Sequence, residues 1–232
     1  MLTYPVGLPD IYANPIDISF HLWVTVIAAL FLFGINFFIQ ATRIKDLPSQ
    51  RTLLFGYGIF MIFIGIGRIF VLIAYDPVTP HSMFDQLDVV QTIFSQLSVI
   101  PAIWALEKYI LPQTKHIFTD LAVAVAAWGA LPIILNNTNN DTIMIGKVIG
   151  VIPLFAVFAI LFIFLIKRTS GSIRRQAIQI FLGLAITAIG MLFDNNKMII
   201  TGFPPLWVSP TIYLAGVIIF GFSIHLEKSR AK

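Results

Sequence analysis

The sequence predicts an all-α polytopic membrane protein: one bundle of seven transmembrane helices, N-terminus outside, C-terminus cytoplasmic. Three observations carry this reading. First, 58% of the 232 residues are hydrophobic and only 11% are charged, with mean hydropathy +0.89, against about 25% charge in an ordinary soluble domain. A soluble fold of this size cannot hide so much apolar surface. Second, seven runs reach the roughly 20 apolar residues that a helix needs to cross the hydrocarbon core. Third, the basic residues alternate from loop to loop, as the positive-inside rule requires.

The seven runs are 17–41, 52–75, 87–110, 116–135, 143–167, 174–200 and 204–226. The first opens on Asp17 and Ser19, which suit a helix start, and is nearly unbroken from Trp23 to Phe38. The second carries Gly56, Gly58, Gly65 and Gly67, small residues that let helices approach closely in lipid. The third begins with Asp88 and Gln91 and contains Pro101. The fourth is short, with Ala122, Ala126 and Ala130 four apart. The fifth opens with Gly146-x-x-x-Gly150, contains Pro153, and is almost purely aliphatic and Phe from Val148 to Ile166. The sixth has Gly183 and Gly190 and carries the polar knot Asp194-Asn195-Asn196-Lys197 near its end. The seventh has Pro210, Gly216 and Gly221. Each interior proline removes a backbone hydrogen bond and is expected to kink its helix. The short loops leave no room for a soluble domain. The first 15 residues lack a basic start and an apolar core, so no cleavable signal peptide is expected.

With the N-terminus outside, the cytoplasmic segments hold Arg43, Lys45, Arg51, Lys108, Lys115, Lys167, Arg168, Arg174, Arg175, Lys228, Arg230 and Lys232, twelve of the fifteen Lys and Arg residues. Asp10, Asp17, Asp76, Asp85, Asp88, Asp141 and Asp194 fall on the outer side. The outer loop 136–142 contains two N-glycosylation triplets, at Asn136 and Asn140. The basic stretch from Lys167 to Arg175 offers Lys167, Arg168, Arg174 and Arg175 to a cytoplasmic protein partner or to anionic lipid.

Polar groups inside the spans share one depth. Arg68, Asp88, Gln91, Lys147, Asp194, Asn195 and Tyr213 all fall in the outer half, whereas the inner half is almost apolar. Ionisable groups in hydrocarbon cost about 2.5–3.5 kcal/mol even on the lenient insertion scale. These residues are therefore expected either to line an outward-facing polar pocket or to staple the bundle through ion pairs, with Arg68 joined to Asp194 or Asp88. Glu107 and Asp120, near the cytoplasmic side, are expected to pair with a neighbouring Lys108, Lys115 or Arg, or to snorkel to the headgroups, rather than act as acid and base.

Much chemistry is excluded. There is no cysteine, hence no disulfide or thiolate metal site. His21, His81, His116 and His225 give no metal-ligand spacing and no mid-membrane pair for haem. The seventh run has no lysine to carry retinal, and no catalytic motif stands out. No cofactor and no metal is expected. Sparse, interrupted basic charge argues against nucleic acid despite a net charge of +4.

Two fragments carry a resemblance. Glu107-Lys108-Tyr109 ends the third run, and Ser209-Pro210-Thr211-Ile212-Tyr213 opens the seventh. They resemble the acidic-Arg-Tyr triplet and the N-P-x-x-Y motif of seven-helix receptors. The layout also resembles the seven-helix sensor regions of prokaryotic membrane kinases and other prokaryotic multi-pass proteins. The resemblance implies a plasma-membrane sensor or receptor that binds a small ligand from outside. The alternatives are a structural or accessory subunit of a membrane complex and a small-solute transporter. An enzyme ranks last.

Overall fold

A computed structural model describes residues 18–44, 46–74, 81–134, 156–194 and 205–223. Among these residues all regular structure is helical. The α-helices are α1 (Ile18–Arg43), α2 (Pro48–Ala74), α3 (His81–Ile110), α4 (Ile117–Ile134), α5 (described over 156–168), α6 (Gly171–Phe193) and α7 (Val208–Phe222). Four helical stretches are long and apolar enough to cross a membrane: Ile18–Arg43, Pro48–Ala74, Gln86–Ile110 and Ile173–Phe193. Two shorter apolar stretches are Ile117–Leu131 and Val208–Phe222.

The boundaries depart from expectation for local reasons. α2 starts at Pro48 instead of 52, because proline suits a first turn that has no intrahelical use for its N–H. α3 starts at His81 instead of 87, since a polar turn prolongs a helix as readily as an apolar one. α6 stops at Phe193 with Asp194 as its C-cap, short of the expected end at 200; residues 195–200 lie outside the described residues. α7 begins at Val208, which places Pro210 in its first turn. No interior hydrogen bond is lost there, and the kink expected at Pro210 has no cause. Pro101 does lie inside α3. Pro153, the other expected kink, and the start of the fifth run lie outside the described residues.

The chain gathers into two compact units. One unit, in its described part, takes α1 up to Ala29, the chain from Leu165, α6 and α7. Here α6 and α7 form an antiparallel pair with backbones in close approach. A Cβ on Gly190 would lie 2.8 Å from the Tyr213 nitrogen, and one on Gly183 would lie 2.7 Å from the Phe220 nitrogen. One on Gly216 would meet the Thr187 hydroxyl. Ser209 Oγ donates across the pair to the Gly190 carbonyl at 3.0 Å. This is the small-residue packing that holds apolar helices together without a hydrophobic driving force.

The other unit takes α1 from Leu30, α2, α3, α4 and α5 up to Phe164. α1 and α2 run antiparallel: a Cβ on Gly58 would touch the Phe38 ring at 2.9 Å, and one on Gly65 the Phe31 ring at 3.1 Å. α2 and α3 are antiparallel too. Gly56 lies against the Pro101 carbonyl, where a Cβ would come within 2.9 Å, and Gly67 lies against the Gln91 carbonyl. Phe94 sits between Phe63 and Phe70, at centroid distances of 5.8 and 5.6 Å. Phe158 stacks on Phe60. On α4 the buried line is Ala122, Val125, Ala126 and Gly129, while Ala130 is half-buried. The outer surfaces of the helices are studded with exposed large apolar side chains, among them Leu32, Ile35, Ile39, Val123, Ile163, Leu182 and Ile189. Mid-helix positions of this kind face water poorly and face hydrocarbon well.

Candidate functional site

Arg68 lies in the last two turns of α2 and is 4% exposed. One residue earlier, a Cβ on Gly67 would lie 3.3 Å from the Gln91 carbonyl and 3.6 Å from Ser95 Oγ. Missing bulk at position 67 therefore draws this turn of α2 onto the Gln91–Ser95 turn of α3. Asp88 and Gln91 are half-buried on α3. The structure thus brings Arg68, Asp88 and Gln91 to the same end of the α2–α3 pair. Asp194 and Tyr213 belong to the other unit. Asp194 is half-buried as the C-cap of α6. Tyr213 is wholly buried, packed edge-on to Trp23 at 5.5 Å and against the backbone of Gly190. Lys147, Asn195, Asn136 and Asn140 lie outside the described residues.

A polar face along α3 escaped the sequence reading. Thr92 (7% exposed), Gln96 and Ser98 are buried, and Ser95 is half-buried. Thr92 Oγ1 donates to the Asp88 carbonyl at 2.9 Å, Gln91 Nε2 to Ser95 Oγ at 3.1 Å, and Ser98 Oγ to the Ser95 carbonyl at 2.6 Å. These bonds carry polar groups well beyond the first third of the helix. The signal was present in the spacing: Asp88, Thr92 and Gln96 recur every fourth residue, which is one helical face.

At the opposite end of this unit the α3–α4 connection is organised by one carboxylate. Glu107 is buried and accepts from Thr114 Oγ1 at 2.5 Å, Phe118 N at 3.1 Å, Thr119 N at 2.9 Å and Thr119 Oγ1 at 2.7 Å. Two of these donors are backbone N–H groups in the first turn of α4, which have no intrahelical acceptor, and a negative charge there also suits the helix dipole. The turn passes through Lys115 and His116 at φ 48° and 71°, left-handed values that non-glycine residues seldom adopt. Glu107 therefore caps a helix instead of pairing with a basic neighbour. Lys108 lies over the Trp104 and Tyr109 rings at 4.7 and 5.6 Å, a partly exposed cation–aromatic cluster. The two fragments that resemble receptor motifs thus have packing roles here: Glu107 starts α4, and Ser209 with Tyr213 seats α7 on α6.

Lys167, Arg168, Arg174 and Arg175 are all exposed. They flank a tight turn in which Gly171 has φ +63°, and α6 has no acidic residue in its first turn. Compared with protein-family models, with curated proteins and with solved structures, the chain gives no match.

Proposed function

We propose that the chain is a multi-pass protein of the plasma membrane, a seven-helix sensor or receptor-like protein that takes a small polar ligand from outside. The observation that carries the reading is the burial of Arg68 in a helix of membrane-crossing length, at 4% exposure, beside the polar turn of Asp88 and Gln91. A guanidinium is kept in such surroundings only where carboxylates or other acceptors can meet it, which suits a ligand bearing an anionic or acceptor group. Orientation with the N-terminus outside is supported by Arg43, Arg51, Lys108 and Lys115. They fall where α1 ends, α2 begins, α3 ends and α4 begins, one end of an antiparallel set, and Arg68 is toward the other. The exposed Lys167, Arg168, Arg174 and Arg175 would then face the cytoplasm and meet a protein partner or anionic headgroups.

The test is a thermal-shift screen of small carboxylates, amino acids and neutral polar solutes on the protein in nanodiscs. A hit should be lost in Arg68→Gln and largely kept in Arg68→Lys. Hits indifferent to residue 68 would remove the proposed site. A second reading, a structural subunit of a membrane complex, is favoured by the packing roles of Glu107, Ser209 and Tyr213. It calls for a larger complex in mild detergent and no Arg68-dependent ligand.

A further inference from the structure

Gln96 is 1% exposed, and among the described residues neither its Oε1 nor its Nε2 has a hydrogen-bond partner. It lies ten residues into the 25-residue apolar stretch Gln86–Ile110, about 15 Å along the helix at 1.5 Å per residue. That is close to the middle of a hydrocarbon core about 30 Å thick. A buried amide with nothing to bond is among the more expensive features a helix can carry, and proteins satisfy nearly all such groups. The amide projects over Gly129 of α4, so that a Cβ there would coincide with the Gln96 side chain. Ala126, three residues earlier on α4, is also small and buried, and Thr92, one turn earlier on α3, is a second buried polar group. Neighbouring Gln91, Ser95 and Ser98 are engaged in hydrogen bonds along α3, which leaves Gln96 as the group facing α4 with both a donor and an acceptor to offer.

We propose that the Gln96 amide, seated in the space that Gly129 leaves, marks a buried binding place for a small neutral molecule that both donates and accepts hydrogen bonds. The ligand could come from two sources with this shared chemistry: water, or a solute with a carboxamide edge. The place lies within the α3–α4 pair and does not depend on a ligand at Arg68.

The experiment combines a high-resolution structure of the full chain in nanodiscs with thermal unfolding in the presence of acetamide. Acetone, which accepts but cannot donate, serves as the control. A solute site predicts that acetamide raises the melting temperature of the wild type by several degrees, that acetone does not, and that Gln96→Leu abolishes the shift. A water site predicts no shift, with an isolated density peak within hydrogen-bonding distance of both amide atoms that is missing in Gln96→Leu. Gly129→Ala, whose Cβ would collide with the amide and displace it, should give the same loss in either case should Gln96→Leu fold poorly. Two results overturn the proposal: a direct bond from both amide atoms to groups of the protein itself, or a wild-type structure with no density at the amide.

Discussion

Glu107→Gln is the sharpest test of how this chain sets its helix starts. The substitution preserves shape and volume but turns one carboxylate oxygen into an N–H₂ donor. Oε1 serves Thr114 Oγ1 and Phe118 N, and Oε2 serves Thr119 N and Thr119 Oγ1. Whichever way the new amide is turned, one backbone N–H faces a donor. The threonine hydroxyl beside it can rotate to accept, but the peptide N–H cannot. One charge-assisted bond worth about 1.5–3 kcal/mol is lost, and the charge at the α4 N-terminus, worth about 0.3–1 kcal/mol, goes with it. A loss of about 3 kcal/mol corresponds to a fall of about 6–12 °C in melting temperature for a chain of this size. The assay is thermal unfolding in mild detergent, run as a double-mutant cycle with Thr119→Val, which removes only the hydroxyl. Contacting groups should couple by about 0.5–3 kcal/mol. An unfolding temperature unchanged by Glu107→Gln, or strict additivity with Thr119→Val, would refute the capping role.

Two further outcomes follow from the geometry. Gly216→Ala should destabilise the protein by about 1–3 kcal/mol, because its Cβ would meet the Thr187 nitrogen at 2.5 Å and the Gly183 carbonyl at 2.6 Å. Differential scanning fluorimetry reads this directly, and a neutral result would mean that α6 and α7 do not approach as described. At Gly171 the space is open but φ is +63°. Gly171→Ala should therefore cost about 1 kcal/mol through backbone strain. Gly171→Asn, which tolerates the left-handed region better, should cost less, and equal stability of the two variants would count against strain as the cause.

The particular elements show how far the sequence could be read. The apolar runs placed α1 to α4, α6 and α7 along the chain, with the largest departures at the start of α3 and the end of α6, because length and hydropathy are local properties. Misjudged ends, at Pro48, His81 and Asp194, lie where polar residues continue or stop a helix without changing its composition much. Arg68 was recognisable as costly wherever it sat. Gln96 was not singled out, since a neutral amide in an apolar helix is unexceptional until its neighbours are known. Glu107 was seen as a carboxylate needing partners. That its partners are Thr114, Phe118 and Thr119 depends on how the chain turns through Lys115 and His116.

By itself, then, the sequence determined that these are apolar helices, roughly where each lies, and which end of the α1–α4 set collects basic charge. Tertiary structure decided which small residues meet: Gly56 with Pro101, Gly129 with Gln96, Gly190 with Tyr213. The physical reason is one of range. Hydropathy and helical period are summed over adjacent residues, whereas burial and hydrogen bonding between helices depend on the rotation and depth of each rod against its neighbour. A single methyl group can alter both without leaving a trace in composition.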